Sequence, residues 1–292
     1  MRNKDKEHHQ QIFNRELQMI TIVSGLNNPN LIHLNGHGNG TVTIGEKLYY
    51  NKNYLILDYY QKGDLFKYVH YSDHGFTELH AKYIFDKILR GVQALHAAGI
   101  FHRQLDLDNI LLDQNFNPII IDFTLATNNN VNALNDFVGV KEYSSPQVIE
   151  HHVYNGFKND IFSLGNILFN LITSRNGFKE ASKTDNNYKL IILNKFDEFW
   201  YKKEEIGINP SQLFKNLYSR MVAFNENNRP TIDQILQDPW FAEIRNLNNA
   251  QQAQLDNQIH NEFVQRENIV NQSLNIMEQI VQLDDDDLYD NR

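Results

Sequence analysis

Side chains that could bind cations or move protons are concentrated in one loop of this chain and just after it. The loop, residues 100–113, includes His102, Arg103, Gln104, Asp106 and Asn109 among them. A carboxylate can take up a proton in general acid–base catalysis, whereas the neutral amide of Gln104 cannot act as that base. Asp122 follows an apolar run at residues 118–121, which is typical of a buried strand. The loop therefore combines carboxylate, imidazole and amide groups within a few residues, and position 104 carries a neutral amide.

These residues resemble the catalytic loop of eukaryotic protein kinases, whose pattern is H-R-D-x-x-x-x-N followed by an apolar strand. Thirteen residues past Asn109, the sequence Asp122-Phe123-Thr124 is similar to the D-F-G motif of the same family. In that family the loop Asn and the D-F-G Asp hold the Mg²⁺ ions that bridge the nucleotide phosphates. The resemblance therefore implies Asn109 and Asp122 as Mg²⁺ ligands wherever ATP binds, and it implies that such binding is weak or absent here.

Four further segments extend the resemblance over roughly residues 10–242. Residues 139–147 resemble the end of an activation segment, and residues 159–168 resemble the large buried helix of the C-lobe, whose Asp160 would brace the catalytic loop. Residues 228–231 and 238–241 resemble the closing helices of that lobe. The implied fold is α+β and kinase-like, with a mainly helical C-lobe at residues 61–242. His102, Arg103, Phe123 and Asp160 are its expected structural residues.

The catalytic positions depart from the family pattern together. Gln104 stands at the catalytic-base position, and Asp106 stands where Ser/Thr kinases place a lysine near the transferring phosphoryl group, so its charge would repel phosphate oxygens. Val140 replaces the threonine that follows the activation-segment glycine. Gln147 replaces the glutamate that pairs with the arginine matched by Arg229, which leaves a weaker neutral hydrogen bond. This pattern predicts a pseudokinase, with Asp106 as a substitute base in the alternative reading.

The front of the chain lacks the phosphate-covering part of a kinase. Glu16 matches the glutamate of the first helix, but the polar residues before it show no strand pattern, so strands 1 to 3 and the partner lysine are expected to be missing. Residues 1–60 are therefore predicted as a residual N-lobe with the glutamate helix and two strands. If the chain were a fragment whose true N-terminus lies upstream, the upstream residues would supply the lysine and the glycine-rich loop. They would not restore an aspartate at position 104.

The glycine-rich run at residues 36–42 misses the spacing of a phosphate-binding loop and is predicted to form a β-turn before a strand at residues 54–57. The following segment resembles the hinge between the lobes. By that resemblance Tyr60 would offer backbone groups to an adenine, Asp64 a carboxylate to the ribose, and Leu111 the apolar floor. Each of these residues is equally expected as ordinary hinge structure.

Beyond Phe241 the sequence changes to an uninterrupted helical pattern. Apolar residues recur at steps of three and four over residues 250–283, with one seven-residue step that spans Arg266. This predicts an amphipathic helical extension at residues 243–283, which either docks on the C-lobe or pairs with a partner as a coiled coil. The acidic residues 284–292 are predicted to be a disordered tail.

Composition limits the remaining classes of function. A net charge of −9 argues against nucleic-acid binding, which depends on basic surface. No apolar stretch is long enough to span a bilayer and the N-terminus lacks a signal-peptide pattern, which together favour an intracellular, cytoplasmic protein. Two functions stay open: a non-catalytic module that binds a protein partner through its C-lobe or C-terminal helix, and a weakly active protein Ser/Thr kinase.

Overall fold

The computed structural model describes residues 2–72, 74–128 and 134–289, and within these ranges it describes side chains from residue 9 to residue 273. The smaller part of the fold begins with helix α1, Arg2–Gly25, followed by strands β1, Leu34–Ile44, and β2, Lys47–Leu57. The two strands pair antiparallel, and no third strand joins them in the described part of the chain. This confirms an α+β fold with an incomplete N-lobe.

The glycine-rich run does not form the predicted β-turn. Gly36, Gly38 and Gly40 lie within β1, at alternating positions of one face, and the turn follows at Gly45, whose φ of +59° favours glycine. Across the sheet, Tyr54 lies so close that a Cβ at Gly38 would stand 2.5 Å from its hydroxyl oxygen. The glycines therefore leave room for an aromatic ring on the neighbouring strand, a partner that local sequence patterns do not reveal.

The larger lobe is mainly helical, with one short hairpin. Its hairpin pairs β3, Ile110–Leu112, with β4, Pro118–Ile120. Its helices are α2, Leu65–His70; α3, Glu78–Ala97; α4, Pro146–Ile149; α5, Gly156–Thr173; α6, Tyr188–Ile192; α7, Phe196–Glu204; α8, Gln212–Met221; α9, Ile232–Leu236; and α10, Ala242–Arg245. Because α5 is buried over almost all of its surface, it forms the centre around which the other helices pack.

Backbone contacts join the smaller lobe to the strand that precedes Asp122. The Ile32 amide donates to the Ile120 carbonyl at 3.1 Å, and the Ile120 amide donates to the Asn30 carbonyl at 2.8 Å. Buried strand groups require such partners, since an unpaired amide in the interior costs free energy. The segment after α1 therefore serves as an added edge of the β3–β4 hairpin and fixes the direction in which β4 ends.

The C-terminal helix α11, Asn249–Tyr289, docks on the larger lobe through the first half of its apolar stripe. Its buried residues there are Leu255, Ile259, Phe263 and Val270. The Phe263 ring stacks on Phe116 at a centroid distance of 5.0 Å and meets the Tyr68 ring edge-on at 5.4 Å. Of the two predicted arrangements, residues 255–270 therefore adopt intramolecular docking.

Arg266, which interrupts the stripe, is a buried anchor of this helix. Its guanidinium donates to the carbonyls of Tyr68 at 3.0 Å, His74 at 3.1 Å and Gly75 at 3.0 Å, and it pairs with Glu262 at 2.7 Å. It also lies over the Phe76 ring, 3.8 Å from the centroid. A charged side chain is stable in this place only because all of these partners satisfy it.

The helix reaches the hinge through its next residue. Glu267 forms an ion pair with Lys62 at 2.8 Å and accepts a hydrogen bond from the Tyr68 hydroxyl at 3.4 Å.

The predicted boundary between helix and tail at residues 283–284 is not a helix end in the structure, because α11 runs to Tyr289. Residues 290–292 of the predicted tail lie outside the described residues. No described helix has both the length and the apolarity that a membrane span requires.

Replacing Arg266 by leucine should lower the free energy of unfolding by about 3–5 kcal/mol, because Glu262 and three backbone carbonyls would lose their buried partner. The matched control is Gln265→Leu at the exposed neighbouring position, which should change stability by less than about 0.5 kcal/mol. Urea unfolding of both variants measures the difference. Equal effects of the two substitutions would contradict docking of α11 through Arg266.

Candidate functional site

The backbone of the 100–113 loop is held by one buried carboxylate from the start of α5. Asn155 caps this helix by accepting from the Lys158 amide, which places Asp160 in the second turn, fully buried. One Asp160 oxygen accepts from the His102 amide at 2.8 Å, and the other accepts from the Arg103 amide at 2.8 Å. His96 of α3 adds a third contact at 3.0 Å. The carboxylate thus fixes the loop through main-chain groups rather than through side chains.

His102 joins the loop to the Asp122 segment. Its Nε2 donates to the Ile121 carbonyl at 2.9 Å, and its Nδ1 accepts from the Gln104 amide at 3.3 Å. The ring packs against buried Phe123 with centroids 5.0 Å apart. Burial lowers the pKa of His102, in keeping with a neutral ring that both donates and accepts. We therefore propose that His102 and Phe123 are structural residues of this site.

Arg103 is also engaged inside the protein. It adopts a positive φ of +71°, and its buried guanidinium donates to the Tyr154 hydroxyl at 3.2 Å and pairs with Asp136. Burial acts to raise the pKa of Asp136, but the hydrogen bond and charge of Arg103 outweigh it and lower that pKa. The Arg103 guanidinium is therefore already paired with a carboxylate of the same chain.

Gln104 and Asp106 take part in the internal hydrogen bonding of the loop. The Gln104 carbonyl accepts from the Asn109 side-chain amide at 3.0 Å, and the Asp106 carboxylate accepts from the Asn109 backbone amide at 2.8 Å. Asp106 is only 3% exposed. Its burial, followed by the charges of Asp108 and Asp122, raises the pKa of Asp106 to about 6. Asp106 is therefore a loop-capping residue whose charge is disfavoured by its surroundings.

Asn109 and Asp122 have suitable chemistry for Mg²⁺. With its amide nitrogen bound to Gln104, Asn109 keeps its side-chain oxygen for a cation, and Asp122 supplies a carboxylate from a backbone of φ +60°. Hard oxygen donors of this kind are the usual Mg²⁺ ligands. One Asp122 oxygen accepts from the Thr124 amide at 3.1 Å, which orients the carboxylate.

Glu16 lies near Asp122, whose charge acts on it. Burial, followed by the charge of Asp122, raises the pKa of Glu16. Among the described side chains no lysine or arginine forms an ion pair with Glu16, in keeping with the expected loss of its lysine. Asn109 and Asp122 are therefore suitable Mg²⁺ ligands, whereas the described side chains around Glu16 do not include a lysine that could bind the phosphates.

At the hinge, Asp64 and Leu111 lie next to each other, and their polar groups form hydrogen bonds within the protein. Asp64 and Leu111 form a β-bridge, and the Asp64 carboxylate caps α2 by accepting from the Lys67 amide at 2.9 Å. The Tyr60 carbonyl accepts from the Gly63 amide at 3.1 Å. Burial and the nearby Asp58 raise the pKa of the Tyr60 phenol to about 12. The assignment of these residues to adenosine stays a prediction.

Gln147 and Arg229 meet as the sequence resemblance implied. The guanidinium donates to the Gln147 side-chain oxygen at 2.7 Å, and to the carbonyls of Ala223 at 2.9 Å and Lys158 at 3.1 Å. Gln147 donates in turn to the Phe224 carbonyl at 2.7 Å. Burial lowers the pKa of Arg229 to about 10. Arg229 is thus surrounded by neutral acceptors, without a carboxylate among these contacts.

Sequence reasoning missed four residues that support this site: His96, Asp136, Tyr154 and Lys158. His96 is a polar residue next to buried Leu95 in the last turn of α3, which was a usable signal. Asp136 and Tyr154 gave none, because both meet Arg103 only after the chain has folded. The site is therefore built by long-range contacts around a recognisable loop.

The fold and this loop define a kinase-like protein. The sequence pattern of the protein kinase domain matches residues 1–241, so the chain belongs to the protein kinase family. Related sequences include a probable serine/threonine-protein kinase 2 of Plasmodium falciparum, which is 34% identical over 191 residues, covering 64% of this chain and 36% of that protein.

Two further relatives agree. The CBL-interacting protein kinase 31 of Oryza sativa subsp. japonica is 34% identical over 197 residues, covering 64% of this chain and 40% of that protein. The probable serine/threonine-protein kinase MARK-A of Dictyostelium discoideum is 29% identical over 240 residues, covering 76% of this chain and 20% of that protein. The chain spans less than half the length of these relatives.

The raised pKa of Asp106 predicts a pH-dependent effect of Asp106→Asn. Because the folded-state pKa of about 6 lies above the ordinary 3.8, the contribution of protonated Asp106 to stability is present below about pH 4 and is lost as pH rises through 6. The asparagine variant keeps the acceptor for Asn109 without the buried charge. It should gain on the order of 1–3 kcal/mol over wild type between pH 4 and pH 7.

Urea unfolding at several pH values measures this difference. Asp197→Asn in the exposed first turn of α7 is the control, because it makes the same chemical change at a carboxylate that is not buried. A pH-independent offset for Asp106→Asn would mean that the loop does not disfavour the ionised carboxylate.

Proposed function

We propose that this protein is a catalytically impaired member of its family, a pseudokinase that acts as a protein-binding or allosteric signalling module. The observation that carries the proposal is that the loop at residues 100–113 keeps its structural contacts but has glutamine at the base position. Its scaffold around Asp160 is complete, while the base position holds the neutral amide of Gln104. A positioned general base contributes typically about 10²–10⁴-fold to rate, so its replacement by an amide should remove most of the transfer.

Asp106 is a poor substitute for the missing base. A base must reach the hydroxyl from which it takes the proton, but the Asp106 carboxylate is buried and bound to the Asn109 amide at 2.8 Å. Moving it outward would leave that amide without its acceptor. The same geometry keeps a negative charge near the site, which disfavours a phosphoryl group.

Binding to a protein partner is supported by apolar surface on the β1–β2 hairpin. Ile44, Leu48, Tyr50 and Ile56 are each more than half exposed, and the strand register places Ile44 and Leu48 on opposite faces of the hairpin. Both faces therefore expose large apolar side chains, and extended exposure of this kind often marks a binding surface. The first half of α11 offers less surface of this kind, because its apolar stripe is covered by its own C-lobe. The hairpin is therefore the more suitable surface of the two.

The alternative, a weakly active Ser/Thr kinase, is favoured by the presence of both Asn109 and Asp122 and by relatives whose names describe Ser/Thr kinases. If ATP binds, the Mg²⁺ it brings would neutralise phosphate charge between these two residues. Tyr60, Asp64 and Leu111 would then contact the adenosine. Both the pseudokinase and the weakly active kinase could bind a nucleotide, but only the kinase would transfer its phosphate to a protein hydroxyl.

The proposal predicts phosphate transfer from ATP to protein hydroxyls at least about 100-fold below that of an active Ser/Thr kinase. Transfer is measured with labelled ATP and mixed protein substrates, in parallel with calorimetric titration of Mg²⁺–ATP. Asp122→Asn, which removes a metal ligand, is the control for both measurements.

Transfer that is well above the Asp122→Asn background would contradict impaired catalysis. If such transfer were lost in Asp106→Asn and kept in Gln104→Ala, Asp106 would be the base. Mg²⁺-dependent binding without transfer fits a nucleotide-gated module, and no binding at millimolar ATP fits a scaffold that works without nucleotide.

A further inference from the structure

A cavity of about 710 Å³ lies in the larger lobe, between α3, the start of α5 and the segment that leads into α9. None of the residues assigned above to ATP or Mg²⁺ lines it. Its apolar lining is Ala94, Ala97, Phe157, Ile161, Pro230 and Ile232. The other lining residues are polar or charged: Asn28, Arg90, Gln93, His96, Asn155, Lys158, Thr231 and Asp233. The volume falls in the range of small-molecule sites, which combine apolar walls with polar groups that orient the ligand.

The walls of this cavity are fixed by contacts that keep it open. The Phe157 ring packs between His96 at 4.8 Å and Phe101 at 5.3 Å, so it cannot turn inward to fill the space. Gln93 of α3 donates to Asp233 of α9 at 2.6 Å and sets the separation of the two helices. A cavity held open in this way loses little order when a ligand enters, which favours binding.

The charges around the cavity favour an anion. Lys158 is partly buried at its wall and donates to the Arg229 carbonyl, but it forms no ion pair within the described part of the chain. Buried Arg229 lies close by, and burial followed by the Arg229 charge lowers the pKa of Lys158. The one carboxylate in the lining, Asp233, already accepts from Gln93. The Glu226 charge acts on Lys158 in the opposite direction, but no carboxylate forms an ion pair with it in the described part of the chain. An incoming anion would therefore find an ammonium without a direct ionic partner among the described residues.

We propose that this cavity binds a small amphiphile with an aromatic or alkyl body and a single anionic group, which pairs with Lys158. The apolar body covers Phe157 and Ile232, and the anion stands at the Lys158 wall. The site is independent of nucleotide binding and of catalysis. It also borders the catalytic loop, because His96 in its wall contacts Asp160 at 3.0 Å.

Two fluorescent probes of matched shape test the apolar part of the proposal. They are 1-anilinonaphthalene-8-sulfonate, which carries the anion, and N-phenyl-1-naphthylamine, which lacks it. Ala97→Trp fills the cavity from an exposed helix position, and Ala98→Trp adds the same ring one residue further, outside the lining. We expect saturable binding of both probes to wild type, a loss of at least roughly tenfold in affinity for Ala97→Trp, and unchanged binding for Ala98→Trp.

Lys158→Gln tests the charge and keeps a donor for the Arg229 carbonyl. It should weaken binding of the sulfonate probe by roughly fivefold or more and leave the neutral probe within roughly twofold. Equal binding to Ala97→Trp and wild type would overturn the cavity as the site. Equal weakening of both probes by Lys158→Gln, or of neither, would overturn the anionic ligand. Circular dichroism and urea unfolding verify that each variant is folded.

Discussion

The catalytic loop of this protein depends on the hydrogen bonds that the Asp160 carboxylate accepts from His102 and Arg103. A buried carboxylate is costly unless its oxygens are satisfied, and here two main-chain amides and His96 satisfy them. The same contacts fix the backbone on both sides of Gln104 and orient His102 toward the Ile121 carbonyl. None of these interactions needs a base at position 104. This is why the loop can keep its shape with a glutamine at that position.

Sequence predicted this part of the structure well because each motif residue is tied to a backbone position. His102, Asp160 and Arg229 all hold main-chain groups, so their spacing carries the information. The rest depends on partners that are far away in the chain. Gly38 lies in a strand because Tyr54 covers it from β2, and Arg266 is buried because three carbonyls from residues 68–75 meet it. A local pattern contains the glycine and the arginine but not these partners.

The docked α11 gives the hinge a support that the small N-lobe cannot supply alone. A two-stranded sheet buries little apolar area, so it adds little stability to the segment that follows it. Lys62 in that segment pairs with Glu267, and the Tyr68 hydroxyl donates to the Lys62 carbonyl at 3.0 Å. Because Arg266 and Phe263 fix α11 on the same surface, the hinge is attached to the core of the larger lobe. Its position therefore depends on the C-terminal helix as well as on β2.

The charges around Asn109 and Asp122 determine which interactions could attract a nucleotide to this site. Burial, followed by the charge of Asp122, raises the pKa of Glu16, and burial, followed by the charges of Asp108 and Asp122, raises that of Asp106. The carboxylates therefore already repel one another. No lysine in the described side chains pairs with Glu16 to offset this charge. A polyphosphate alone would add like charge to the same place, at a cost that grows as water is excluded. Asn109 and Asp122 would hold a divalent cation, which would supply positive charge at this place. Any nucleotide affinity of this site should therefore come from the metal rather than from the phosphate contacts of the protein.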